Sequence, residues 1–183
     1  MVLSPALPPT RYRLDRADRI AWMDDAWAAF AERNRAPELA NPMIRGQPLW
    51  DFVSGTETRH LYELLFESVR RGGRVVELPF RCDSPDLRRF MKLAVEALPG
   101  DELELRATLL REEQRNPVLL LDADQPRRPD ALSICSFCKR IPVRADAWAG
   151  IEEAAEALDL SARAELPRLS HGVCPDCRER IGD

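Results

Sequence analysis

TETRHLYELLFESVRRGGRVVELPFRC, Thr56 to Cys82, changes its hydrophobic period halfway along. Up to Arg71 the apolar residues Leu61, Leu64, Leu65 and Val69 recur at three- and four-residue steps, the stripe of an amphipathic helix. With Ser54 as N-cap, Glu57 falls three residues on, the spacing of a capping box, and Gly72-Gly73 ends the helix. Past the glycines the step becomes two: Val76, Leu78, Phe80 and Cys82 share one face, and Glu77 and Arg81 the other. The stretch therefore reads as a helix that lays one face on the sheet begun by the strand after it.

The sheet continues downstream. After the turn residues Asp83-Ser84-Pro85-Asp86, alternation resumes with Met91, Leu93 and Val95, turns at Pro99-Gly100-Asp101, and returns through Leu103, Leu105, Ala107 and Leu109. Three strands with short turns make an antiparallel meander with one buried face. Upstream, Arg19 to Trp22 is a short strand, Asp24-Asp25 caps a helix carrying Trp27, Phe30 and Ala31, and Asn41-Pro42 and Gly46-Gln47-Pro48 break the chain into small pieces. Trp50, Phe52, Leu61, Leu65, Phe80, Leu93 and Val95 fill or line the space between helix and sheet. The expected class is α+β, with residues 1–17 a flexible arm, 18–121 the main α+β domain, 122–132 a linker rich in proline and charge, and 133–183 a smaller unit.

That smaller unit carries the chemistry. Cys135 and Cys138 form one C-x2-C pair and Cys174 and Cys177 another, with Cys82 alone upstream. Two such turns supply four thiolates for a tetrahedral site, and the 35 residues between Cys138 and Cys174 leave room for a helix from about Asp146 bearing Trp148, Ile151, Ala155 and Leu158. Zinc is the expected cofactor, in a structural role, because a closed all-thiolate site offers no position to substrate. His171, three residues before Cys174, is placed to support a thiolate by a hydrogen bond, to replace one as ligand, or to pack. Cys82, on an apolar strand face, reads as an inert buried thiol, and Arg81, Asp83, Arg88 and Arg89 as a solvated salt-bridge network, a polar lip on the cavity or an interface contact.

Composition narrows the function. The 183 residues hold 27 Lys+Arg against 31 Asp+Glu, a net charge of −4, and no long apolar run, so neither a general nucleic-acid binder nor a membrane-spanning protein is expected. From Gln125 to Asp183, nine cations face ten acids, and the cysteine unit has no basic excess either. Five cysteines without an export signal point to a reducing, cytoplasmic setting. There is no Walker loop, no kinase glycine loop and no Ser-His-Asp arrangement, so no catalytic residues are assigned.

The order of short strand, small helices, GQPLWDFV (46–53), long helix and three antiparallel strands resembles a PAS domain. LPFRCDSP (78–85), RNPV (115–118), CSFCKRI (135–141) and HGVCPDC (171–177) resemble a bacterial subgroup of PAS-like sensor proteins with a zinc-binding, zinc-ribbon-like tail. The resemblance implies a non-enzymatic cytoplasmic sensory or docking module, commonly a homodimer, with an unnamed small-molecule ligand and a signalling protein as partner. Haem-binding versions use a histidine on the long helix, where this chain has the lone His60. The alternative is a thiol redox switch, in which oxidation of the four cysteines expels zinc and alters partner binding.

Overall fold

A computed structural model describes residues 8–34, 36–40, 42–160 and 163–182. It is a mixed α+β fold containing a five-stranded antiparallel sheet of order β2-β1-β5-β4-β3. The chain forms two compact units, each drawn from separate stretches: Met1–Val53, Tyr62–Pro79 and Met91–Arg111 in the first, Ser54–Leu61, Phe80–Phe90 and Glu112–Asp183 in the second. The division therefore cuts through elements near the middle of the chain instead of falling at residues 122–132.

In the first unit, β1 (Thr10–Leu14) and β2 (Ile20–Met23) are joined by a turn in which the Asp15 carboxylate accepts from Ala17 N and Arg19 N at 2.8 and 2.9 Å. The expected flexible arm is corrected here. β1 lies between β2 and β5 (Glu102–Gln114), pairing antiparallel with both, and Leu14 sits opposite Leu103 with both side chains fully buried. Prolines at 8 and 9 precede the strand without interrupting it, and Thr10, Tyr12 and Leu14 alternate with two arginines. Residues 1–7 of that arm lie outside the described residues.

Helix α1 (Asp25–Arg33) is capped by Asp24, whose carboxylate accepts from Trp27 N at 2.8 Å, as the sequence suggests. Three short 3-10 turns follow, at Pro37–Ala40, Pro42–Ile44 and Leu49–Asp51. Helix α2 spans Thr56–Gly72, but its first bond runs from Arg59 N to Gly55 O, so Ser54 lies outside it and the capping box does not form. Its buried residues are Thr58, Leu61, Leu65, Phe66 and Val69, whereas Leu64 is 48% exposed. At 100° per residue, Leu64 falls about 130° from the middle of that stripe. Strands β3 (Val76–Arg81) and β4 (Leu87–Leu98) complete the sheet with β5, and Met91, Leu93, Val95, Leu103 and Leu105 are buried as the alternation predicts. Gly100 and Asp101, at φ +82° and +62°, turn β4 into β5.

The second unit has its own core of Val118, Leu120, Ile134, Ile141, Ile151, Ala154, Leu160 and Leu166. Its frame is a parallel pair, β6 (Arg127–Cys135) with β9 (Leu166–Gly172). The expected linker is thus largely a strand. Pro129 is accommodated because it sits in a bulge between Arg128 and Ala131, where no ladder bond is needed. Between the parallel strands lie the hairpin β7 (Ile141–Arg144) and β8 (Ala147–Ala149) and then α3 (Ile151–Ala157). The helix thus starts later than the sequence suggests, and Trp148 belongs to a strand. The chain closes with α4 (Pro175–Gly182). Among the described residues no helix is long and apolar enough to cross a membrane.

Candidate metal centre

Parallel pairing is what assembles the centre. Cys135 is the last residue of β6 and pairs with Gly172, the last residue of β9, so both cysteine turns leave the same end of the two-stranded frame. Ser136 N donates to Gly172 O at 2.9 Å, tying the turns together. In the first, Lys139 N donates to Cys135 O at 3.0 Å and Cys135 N to Arg140 O at 2.8 Å, with Lys139 at φ +62°. In the second, Cys174 O accepts from Arg178 N at 3.0 Å, which makes Cys174 the residue before α4, with Pro175 in the first helical position and Cys177 in the first turn. Two of the cysteines thus belong to the positive end of α4.

The four sulfurs of Cys135, Cys138, Cys174 and Cys177 all lie within 4.8 Å of one another, and Cys138 Sγ and Cys174 Sγ are 3.5 Å apart. All five cysteines of the chain are free thiols. A tetrahedron of four thiolates around zinc, with bonds of about 2.3 Å, has sulfur–sulfur edges of about 3.8 Å, so the observed spacing is compatible with a shared ion. This cluster could hold a metal ion. Cys135, Cys174 and Cys177 are buried and Cys138 is partly so.

Cations surround the sulfurs. Arg180 Nη2 donates to Cys177 Sγ at 3.0 Å, and Lys139, whose ammonium donates to Ser136 O at 3.0 Å, lies beside Cys135 and Cys82. The hydrogen bond between Cys138 and Cys135 pulls the Cys135 thiol well below its ordinary range and pushes Cys138 up; burial pushes Cys177 up. Metal ligation requires thiolates, and the nearby positive charge opposes the cost of gathering them.

His171 is not part of the sulfur cluster. It lies on β9 opposite Ile134, exposed, with its pKa lowered by desolvation and by Lys139. Its backbone matters more, because a Cβ on Gly55 would collide with His171 O. Cys82 lies just past β3, its thiol pushed up by burial against the opposing pull of Lys139 and Arg89.

The sequence reading missed the contacts that the start of α2 makes with both cysteine turns. Glu57 accepts from Val173 N at 2.9 Å and from Arg178, and Thr58 Oγ1 lies 2.6 Å from Ser136 Oγ. The only signal for this was Glu57 itself, which fitted a local cap equally well.

The arginine cluster is also corrected. The Asp83 side chain is 0% exposed and accepts from Arg81, from Arg89 N at 3.2 Å and from Arg115 Nη1 at 3.2 Å. Arg115, 5% exposed, also donates to Ser84 O, Pro85 O and Glu152. It pins the β3–β4 loop from within, which a solvated network would not do. Burial pushes the Glu152 carboxyl up, but hydrogen bonds from Arg88 and Arg115 outweigh it and hold that carboxyl below its ordinary range.

Of the seven predicted pocket liners, Leu61, Leu65, Leu93 and Val95 are buried, Trp50 and Phe80 partly so, and Phe52 is 37% exposed. Trp50 stacks at a tilt on Phe66, ring centroids 5.8 Å apart. A cavity of about 370 Å³ lies elsewhere, in the second unit, between residues 116–120 and α3, and none of the seven lines it. His60 is exposed on α2. No family model matches this chain, and no curated protein matches it.

Proposed function

We propose that the chain is a non-enzymatic bacterial signalling module, in which a PAS-like domain senses a small molecule or docks a partner and the four cysteines hold one structural zinc in a zinc-ribbon-like unit. The observation that carries the reading is the convergence of four thiols within 4.8 Å, with no other ligand type in the cluster among the described residues. Such a set closes the coordination sphere of zinc, which then supplies folding free energy to its unit and no open site for chemistry. The PAS-like part is supported by the element order: short strand, small helices, long helix and three further strands in one sheet. Signal output then passes through a protein partner or a second copy of the chain, in the cytoplasm.

Native mass spectrometry of the purified chain tests this. One zinc per chain with an added small-molecule mass supports ligand sensing; zinc alone favours docking. Folded, reduced protein without metal refutes the zinc assignment. Reversible zinc loss under mild peroxide, with changed partner binding, would replace this reading by the redox switch.

A further inference from the structure

We propose that Glu57 and Thr58, in the first turn of α2, are the outer support of the metal centre, one on each cysteine turn, so that metal occupancy and the seating of this helical turn are linked. The proposal rests on the metal reading above and extends it to two residues that lie far from the cysteines in sequence.

The geometry divides the work between adjacent side chains. Glu57 Oε2 accepts from Val173 N at 2.9 Å, and Val173, 3% exposed, immediately precedes Cys174. The other carboxylate oxygen accepts from Arg178, which immediately follows Cys177. One carboxylate therefore brackets the second turn on both sides. Thr58, 4% exposed, shares a hydrogen bond with Ser136, which lies between Cys135 and Cys138, and Ser136 N is bound to Gly172 O. Gly55 packs against the His171 backbone closely enough to exclude any side chain. Each of these bonds goes to a residue next to a ligand, never to a sulfur, which is how outer groups fix ligand geometry around a metal.

The linkage follows from two facts. The first N–H groups of a helix have no partner within it, so an unsupported first turn opens at small cost. The two cysteine turns, for their part, are fixed relative to each other when they share a metal. If metal stabilises the seated turn, the seated turn stabilises bound metal by the same factor.

The test uses the full chain, metal-loaded as purified. Zinc transfer to a chromogenic chelator is timed for wild type, Glu57→Gln, Thr58→Val and, as control, Glu67→Gln, an exposed position on the same helix that pairs with Arg71. Loss of such outer partners typically weakens metal binding about 10- to 100-fold, so Glu57→Gln and Thr58→Val should release zinc at least about 10-fold faster, with the control unchanged. Hydrogen exchange at residues 56–61 should rise when wild-type protein is stripped of metal. Transfer from Glu57→Gln and Thr58→Val at the wild-type rate, or exchange at 56–61 indifferent to stripping, overturns the linkage while leaving the metal centre intact. A folded chain that carries no metal as purified overturns the metal reading and this proposal with it.

Discussion

Replacing Gly55 by alanine probes the least tolerant backbone position beside the centre. Gly55 has φ +91°, and an added Cβ would collide with His171 O and stand 2.9 Å from His171 C. Both are main-chain atoms of β9, so relief requires moving a strand or the start of α2. Two costs combine: about 1–2 kcal/mol for an L-residue at positive φ, and about 1–3 kcal/mol for overpacking a rigid site. Gly100 separates them, because at φ +82° it pays the conformational cost with nothing within 4 Å of its added Cβ. Urea unfolding of metal-loaded Gly55→Ala, Gly100→Ala and wild type, with metal content measured in parallel, should place Gly100→Ala about 1 kcal/mol below wild type. Gly55→Ala should fall about 2–5 kcal/mol below, and it should also release metal sooner. Equal destabilisation by the two substitutions, with equal metal retention, would refute the close approach of Gly55 to His171.

Asp83→Asn leaves the buried Arg115 and the partly buried Arg81 facing a neutral group and should destabilise by about 3–5 kcal/mol in urea unfolding; a change under 1 kcal/mol would mean that the network is solvated after all. Glu152, held below its ordinary pKa by Arg88 and Arg115, contributes stability that is present above the unfolded value of about 4.3 and lost as pH falls through the lower folded value. Wild type should therefore lose more stability than Glu152→Gln between pH 7 and pH 3, and parallel pH profiles would exclude that contribution. Cys174→Ser should abolish stoichiometric metal, whereas Cys82→Ser should keep it; metal counted by mass spectrometry decides, and retention by Cys174→Ser would remove that residue from the ligand set.

The parallel two-stranded frame explains the length of chain between the two cysteine pairs. Parallel strands cannot be joined by a tight turn and need a crossover of a dozen residues or more. The hairpin β7–β8 and α3 form that crossover, and their apolar residues Ile141, Ile151 and Ala154 build the unit's core. The core thus lies along this short frame and the four sulfurs at its end.

Periodicity and ligand spacing, both properties of neighbours along the chain, were legible in the sequence. Asp24 capping α1, the buried alternation of β4 and β5 and the two C-x2-C pairs needed no knowledge of distant partners, because caps, pleats and C-x2-C turns are local geometry. The tertiary structure decided whatever depended on a partner remote in sequence. Thr10–Leu14 became an interior strand because β5 lies beside it, and the proline-marked stretch from Arg127 became β6 because β9 runs parallel to it. Leu64 turned outward because the residues that bury the helix chose the other side of an ambiguous stripe. Glu57 satisfied a local capping pattern on paper, yet its carboxylate reaches Val173, 116 positions away, since a hydrogen-bond acceptor takes whichever donor the folded chain brings within about 3 Å.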